Sequence, residues 1–312
     1  MVCHNCQLKA KRFGKDRKGI QRYRCNACRK TFSEIQDRPL GTMRLPIEKA
    51  IQVLQLLVEG MSIRSTERVT GVEKKTILSL LERVGERCEM LLENLIREVP
   101  VRDIQCDELW GYVQMKEKTK TKKGLTTEKL GDAYCFVALE RNSKLVLSWH
   151  LGRRSAADTN IFIEKLDRAA QGKFQITTDG FGPYRDAIGF TLGGRTDFAQ
   201  LVKVYAEQQD EHRYSPARVL GAKPEPQHGR PDPDRVCTSH VERQNLTLRM
   251  QMRRLTRLTN GFSKKWENLK AAYALHFAYY NFCRIHSSIR CTPAMEAGIT
   301  KTVWTLQEIL TA

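Results

Sequence analysis

The chain has 312 residues, which allows two or three domains and a core that buries most of the apolar side chains. Lys and Arg number 53 against 35 Asp and Glu, so the net charge is +18 and polyanions, nucleic acid above all, are the expected partners. No run of apolar residues is long enough for a membrane span and no signal-peptide core is visible, so membrane and secreted classes are not expected.

The ten cysteines divide into two groups. Four of them form two CxxC pairs near the amino terminus. The other six show no spacing pattern: Cys88, Cys106, Cys135, Cys237, Cys283 and Cys291. A disulfide framework would be dense and confined to a small domain, so this distribution favours a reducing cytoplasm.

Residues 1–40 are predicted to form a zinc ribbon. Cys3 and Cys6 are separated by 18 residues from Cys25 and Cys28, a spacing typical of a site in which four thiolates hold one structural zinc ion. The segment is too short and polar to fold on a core of its own, so the metal would supply much of its folding free energy. His4 is a substitute ligand or, more often in such motifs, a bystander.

The ribbon is rich in cations that suit DNA phosphates, although a purely structural knuckle without DNA contact has the same signals. These residues are Lys9, Lys11, Arg12, Lys15, Arg17, Lys18, Arg22, Arg24, Arg29 and Lys30.

Residues 41–100 are predicted to be helical. Pro46 opens an apolar pattern at helical spacing that Gly60 ends. Ser62 is the predicted N-cap of a second helix, which Gly71 breaks before a third begins. A helix, a glycine-containing turn and a helix place a recognition helix in the major groove of DNA, although a plain three-helix bundle has the same pattern.

The third helix would present its first turns to DNA, with Lys74 and Lys75 as DNA-binding residues beside Glu73, Thr76 and Ser79. Residues 82–98 continue the helical pattern with an apolar stripe. That stripe either extends the core or forms a dimerising helix, because DNA with inverted repeats is usually bound by two-fold symmetric proteins.

Residues 101–312 alternate strand and helix signals, interrupted by two loop-like segments. The first is Lys-rich and covers 116–132. The second covers 206–239 and holds five of the ten prolines, which excludes a regular helix or a central strand. A loop of this length in a compact domain usually marks function or disorder.

Three acidic residues of this region are candidate ligands for divalent metal. Asp107 lies in an apolar, strand-like run, where a carboxylate is costly to bury unless a cation meets it. Asp179 ends a short strand just before Gly180, the usual place for a site in an open α/β sheet. Glu242 lies near the start of a helix. The alternatives are that Asp179 is a helix cap and Glu242 a surface acid.

This donor set suits phosphodiester chemistry. Two Mg²⁺ or Mn²⁺ ions about 4 Å apart can activate the attacking oxygen and stabilise the leaving one. Such hard cations prefer oxygen ligands, so three carboxylates and a substrate phosphate suffice. The segment from Arg243 to Lys265 has seven Lys or Arg and no acid, and it would hold the DNA backbone. The residues expected to contact DNA there are Asn245, Arg249, Arg253 and Arg254.

At these positions the sequence resembles the insertion-sequence-1 family of bacterial DDE transposases. The matching motifs are YRCNACRKTF (23–32), CDELWGYV (106–113), TTDGFGPY (177–184) and HVERQNLTLRMQMRRLTR (240–257). The resemblance implies an RNase H-like domain, a mixed five-stranded sheet with helices on both faces. It also implies that Asp107, Asp179 and Glu242 are the catalytic acids and that Asn245 and Arg249 touch DNA.

Glu108 is the nearest competitor of Asp107. Strand alternation predicts that only one of the two points at the metals, and the family motif favours Asp107. Trp110 is expected to be a packing residue, and His240 either contacts DNA or has no role.

The sequence thus predicts a bacterial, nucleoid-associated transposase of the cytoplasm. It would bind double-stranded DNA as a homodimer or higher oligomer, and would cut and join it with two metal ions. The alternatives are a sequence-specific DNA-binding regulator with an inactive catalytic domain and a nuclease that cuts without joining.

Overall fold

The computed structural model describes residues 1–17, 19–33, 39–41, 43–205, 219–256 and 259–312. Lys18 and the first part of the proline-rich segment, including Pro216, lie outside the described residues. Contacts between residues divide the chain into two compact units, Met1–Arg44 and Leu45–Ala312. The predicted helical region therefore belongs to the same unit as the sheet, and no break in contacts marks residue 100.

The first unit is a small antiparallel sheet of three strands, β1 (Ala10–Lys15), β2 (Gln21–Cys25) and β3 (Thr31–Ser33). Its apolar interior is slight: Tyr23 stacks on Phe32 with ring centroids 5.9 Å apart, and a few small side chains complete the packing. So little buried area agrees with the expectation that a metal stabilises this unit.

The second unit opens with three helices, α1 (Ile47–Val58), α2 (Ile63–Thr70) and α3 (Lys74–Leu95). Ser62 caps α2 as predicted, since its hydroxyl accepts the Ser65 amide at 3.0 Å. Gly71 ends α2 in the left-handed conformation, with φ of 71°, which allows the sharp turn into α3.

Eight further strands follow, and six of them form the main sheet. They are β4 (Val99–Pro100), β5 (Asp103–Val113), β6 (Gly131–Glu140), β7 (Val146–Gly152), β8 (Ala170–Gln171), β9 (Phe174–Asp179), β10 (Thr196–Tyr205) and β11 (Val219–His228). The order across the main sheet is β11-β10-β9-β5-β6-β7, and β4 pairs separately with β8. Strands β5, β9 and β10 run parallel, whereas β6 is antiparallel to both β5 and β7, and β11 to β10.

Helices cover both faces of this mixed sheet, as expected. The remaining helices are α4 (Glu117–Lys122), α5 (Ala156–Ala169), α6 (Pro183–Thr191), α7 (Ser239–Gln251), α8 (Trp266–Ala278), α9 (Pro293–Glu296) and α10 (Leu306–Thr311). On one face Phe136 of β6 packs against Phe162 of α5 and Tyr184 of α6. On the other face Trp149 of β7 packs against Tyr273 and Phe277 of α8.

The sheet has six strands rather than the expected five, because part of the proline-rich segment forms β11 at its edge. Pro224 and Pro226 lie within this strand. Residues two apart in a strand direct their backbone nitrogens to the same side. Both prolines, whose nitrogens carry no hydrogen, can therefore direct these nitrogens away from β10. The Lys-rich segment 116–132 likewise differs from a pure loop, because it contains α4.

The apolar stripe of α3 packs inside the second unit against α8. The two helices approach so closely at Gly85 that a Cβ there would lie 2.4 Å from the Cβ of Ala271. Of the two interpretations of this stripe, the structure therefore shows the extension of the core. None of the helices in the described part of the chain is long and apolar enough to cross a membrane.

Candidate functional site

The four paired cysteines of the first unit converge. Their sulfur atoms all lie within 4.8 Å of one another, and the Sγ–Sγ distances are 3.5 Å from Cys3 to Cys28 and 3.3 Å from Cys6 to Cys25. Amide groups of Asn5 and Cys6 lower the pKa of the Cys3 thiol to about 6. Thiolate donors in this arrangement fit a zinc ion. His4 is not a member of the group, and its ring packs against Phe32 instead.

The basic side chains of this unit face solvent. Every cation of the first unit within the described residues is exposed apart from the half-buried Arg22. Arg22 and Arg24 lie over the partly exposed ring of Phe13, with guanidinium carbons 5.8 and 5.3 Å from its centroid. The unit thus offers an exposed basic surface with one aromatic ring.

The acidic site lies where parallel strands β5 and β9 adjoin. The register pairs Cys106 with Thr178, so the next residues along, Asp107 and Asp179, are neighbours at the carboxyl end of β9. Long stretches of buried residues precede both of them. Two acids that are 72 positions apart in sequence are therefore brought together by the sheet.

Helix α7 is held against β5 by hydrogen bonds that position Asp107. The buried amide oxygen of Gln105 accepts the amide hydrogens of His240 at 2.9 Å and Val241 at 3.2 Å, so β5 caps the start of α7. One turn further on, the Asn245 side chain donates to the Asp107 carboxylate at 2.8 Å.

Glu108 belongs to the same cluster. One ligand oxygen from each of Asp107, Glu108 and Asp179 lies within 4.8 Å of the others. The expectation that only one of residues 107 and 108 can reach the site is wrong. Alternation holds, because Asp107 bonds to α7 whereas Glu108 lies beside Tyr184 of α6. However, β9 ends at Asp179, where oxygens from both faces of β5 can approach the same carboxylate.

Burial and mutual repulsion perturb two of these acids. Burial, with the charge of Asp179 as the next cause, raises the pKa of Asp107 to about 6. The same two causes raise the pKa of Glu108 to about 7, although the neighbouring Tyr184 hydroxyl and Arg154 guanidinium oppose the rise. The cluster thus holds negative charge that its protein neighbours do not fully neutralise, a condition that a divalent cation relieves.

Arg154 lies at the rim of the cluster. Its guanidinium is 3.1 Å from a Glu108 oxygen and 3.5 Å from an Asp179 oxygen, and it stacks over Phe181 at 4.2 Å. The second oxygen of Asp179 accepts the Phe181 amide at 3.0 Å. No local pattern in the sequence singled out Arg154, because it comes from the loop before α5.

Glu242 is not part of the group of three. Its carboxylate forms an ion pair with Lys203 of β10 and accepts a hydrogen bond from Thr238 at 2.6 Å. Burial would raise the pKa of Glu242, but the Lys203 ammonium and the Thr238 hydroxyl hold it below its ordinary value. Glu242 is nevertheless near enough for its charge to raise the pKa of Asp107.

The side chains expected to contact DNA fall into two sets. Lys74 and Lys75 are exposed at the start of α3, and Arg253 is exposed after α7. Asn245 is buried, and its side chain is the one that hydrogen-bonds to Asp107. Arg249 donates to the carbonyl groups of Trp110 and Leu255, both at 3.3 Å. Arg254 is half-buried, and burial lowers the pKa of its guanidinium to about 10; one of its nitrogens donates to the Ser263 hydroxyl at 2.9 Å.

The two remaining side chains singled out near the site have protein contacts. Trp110 is half-buried and packs on Tyr112 with ring centroids 5.7 Å apart, as expected for a packing residue. His240 lies 3.3 Å from the Lys144 ammonium. Neither contact indicates a chemical role.

Comparison with known proteins adds no assignment. No protein-family model and no curated protein sequence matches this chain.

Proposed function

We propose that this chain is a DNA transposase of the cytoplasm whose second unit has an RNase H-like catalytic fold. It would bind the ends of an insertion sequence as a homodimer or higher oligomer and catalyse DNA cleavage and strand transfer. The observation that carries the proposal is the convergence of Asp107 and Asp179 within 4.8 Å of each other, in a chain of net charge +18. Acids so placed match a two-metal phosphodiester site.

The order of the strands supports the fold assignment. Numbered from β5, the first five strands of the main sheet lie in the order third, second, first, fourth, fifth, and the second is antiparallel to its neighbours. The acids fall on the first strand, at the end of the fourth and on the helix after the sheet. This is the arrangement that the motif resemblance implies, with β11 as an addition at the edge.

The chain's own residues would hold the reacting groups. Divalent cations at the cluster would supply positive charge for the attacking and leaving oxygens. Asn245 fixes the orientation of Asp107, and Gln105 fixes α7 relative to β5. Arg154 and the exposed cations after α7 would bind backbone phosphates. Water would attack a phosphodiester and break its bond to the 3′ oxygen, which leaves a 3′ hydroxyl and a 5′ phosphate. That hydroxyl would lose its proton and attack a target phosphodiester in line, so that a new P–O bond forms while the target's 3′ oxygen leaves as a hydroxyl.

Cleavage and joining assays test this proposal. The substrate is duplex DNA taken from either side of the reading frame, with Mg²⁺ and a supercoiled target. Asp107→Ala, Asp179→Ala and Glu242→Ala should each bind the duplex and lose both reactions, while Asp186→Ala, an exposed acid on α6, should keep them. Binding by the natural chain without cleavage would replace the proposal with a DNA-binding regulator, and cleavage without joining would leave a nuclease.

A further inference from the structure

A large cleft lies between the three-helix segment and the end of α7, wholly within the second unit. Its volume is about 1150 Å³. One wall is formed by the end of α1 and the first turns of α2 and α3, and the other by residues 251–254, 260–262, 264 and 265 together with one face of α8. At Gly60 the walls approach closely, since a Cβ there would lie 3.2 Å from the carbonyl oxygen of Gln251.

The cleft is strongly basic. Five exposed cations line it: Arg64, Lys74, Arg253, Lys264 and Lys265. In the described part of the chain no acidic residue lines the cleft, and none of these five cations forms an ion pair. Such a concentration of like charge in a concave surface focuses its field on an anionic ligand.

Buried polar atoms also line this cleft. Among the described residues, one guanidinium nitrogen of Arg254, the Oδ1 of Asn268 and both ring nitrogens of His276 have no hydrogen-bond partner. Asn268 is 5% exposed and His276 is 2% exposed. Because an unsatisfied buried polar atom is costly, a polar group or water held at the base of the cleft would stabilise these atoms.

The position of the cleft relates it to the acidic site. Asn245, which bonds to Asp107, and Gln251, which lines the cleft, are six residues apart on α7. At 1.5 Å per residue this is about 9 Å, or roughly three nucleotides along a DNA duplex. A strand with a phosphodiester at the cluster would therefore place neighbouring phosphates at the mouth of the cleft.

We propose that this cleft binds the sugar-phosphate backbone of the DNA strand that enters the acidic site, a role that rests on the proposed function. A drug-sized small molecule fills a pocket of about 300–1000 Å³, so the volume favours a polymer. The cleft joins the predicted recognition helix α3 to α7 and thereby links the binding of an element end to its cleavage.

The test compares two triple variants of the full-length protein, each losing three exposed cations. Arg253→Gln/Lys264→Gln/Lys265→Gln changes the cleft, and Arg97→Gln/Arg168→Gln/Lys301→Gln changes cations outside it. Binding of a random-sequence duplex is measured by fluorescence anisotropy at several salt concentrations without added Mg²⁺. The cleft variant should bind at least tenfold more weakly, and its log–log salt slope should fall by about 2 to 3, since each lost phosphate contact removes about 0.9.

Equal affinities and slopes in the two variants would overturn the cleft proposal, even if the natural chain cuts DNA. If the cleft variant binds the duplex more weakly than the control variant but the natural chain cleaves no DNA, the cleft proposal holds and the transposase proposal fails. Inorganic pyrophosphate serves as the small-anion probe. If the cleft variant loses pyrophosphate binding but keeps its affinity for the duplex, the cleft is a site for small phosphates and the DNA assignment is wrong.

Discussion

At the scale of single residues, the sequence predicted the acids better than their partners. Asp107 and Asp179 were identified from strand patterns and motif resemblance, and the sheet brings them together. Glu108 was set aside because alternation places it on the opposite face from Asp107. Alternation gives the direction of a side chain, but it does not show where the neighbouring strand stops, and the end of β9 decides which oxygens meet.

The membership of Glu108 leads to a prediction about metal affinity. If its oxygen is a ligand, Glu108→Gln should weaken Mn²⁺ binding by at least about tenfold, a loss of the size seen when groups that support a metal site are removed. Calorimetric titration of the zinc-loaded protein measures this. Asp186→Asn removes an exposed acid from α6 and should leave the affinity unchanged. An unchanged affinity in Glu108→Gln would show that Glu108 does not hold the ion.

The raised pKa values of Asp107 and Glu108 predict an unusual pH dependence of stability. Both carboxyl groups bind protons more tightly in the folded state, so the stability that this proton binding contributes is fully present below about pH 4. It is lost as pH rises through about 6 for Asp107 and about 7 for Glu108.

The double variant Asp107→Asn/Glu108→Gln lacks this titration. Without divalent metal it should match the natural chain in urea denaturation at pH 4 and exceed it by on the order of 6 kcal/mol at pH 8, since each carboxyl contributes about half of this. Added Mg²⁺ should narrow that gap, because the ion binds the ionised form. If the unfolding free energies of the two proteins change in parallel from pH 4 to pH 8, the raised pKa values are wrong.

At the scale of elements, the residues that begin and end helices predicted the helices well. Pro46, Gly60, Ser62 and Gly71 marked the limits of α1 and α2 because caps and glycine turns act within a few residues. The strand β11 was missed because its prolines argue against strands in general, and only its edge position makes them acceptable. Gln105, Arg154 and Lys203 were missed because their contacts join distant parts of the chain.

The crossing of α3 and α8 predicts a steric penalty at Gly85. In Gly85→Ala the new methyl group would collide with Ala271, so the variant should lose about 2 kcal/mol of unfolding free energy despite the better helix propensity of alanine. Gly189→Ala in α6 is the matched control, because a Cβ there meets nothing within 4 Å, and it should be neutral or gain up to about 1 kcal/mol. Equal stabilities of the two variants would show that the helices separate easily.

The first unit is predicted to depend on its metal. The full chain should hold one tightly bound zinc, measured by metal analysis after gel filtration. Cys25→Ser should lose that zinc and the amide-exchange protection of residues 1–33, since the cluster adds to a slight apolar interior. Cys291→Ser, which changes a cysteine outside the cluster, should retain both. A zinc-free chain with an ordered first unit would refute the zinc ribbon.

At the scale of the whole molecule, charge and topology support one account. The excess of cations predicted a polyanionic partner, and the structure places exposed cations on the first unit, at the start of α3 and after α7. The sequence also predicted that Asn245, Arg249, Arg253 and Arg254 contact DNA. Asn245 and Arg249 form hydrogen bonds within the protein, because the start of their helix is anchored to β5, whereas Arg253 is exposed.

The central claim is that Asp179 binds a divalent cation during phosphodiester cleavage, and a change of metal preference tests it most directly. A thiolate is a poor ligand for Mg²⁺ but accepts softer ions. The full-length Asp179→Cys variant should therefore cleave element-end DNA at a background rate in Mg²⁺ and recover activity in Mn²⁺, while the natural chain works in both. Equal activity of the variant in the two metals would contradict a ligand role for Asp179.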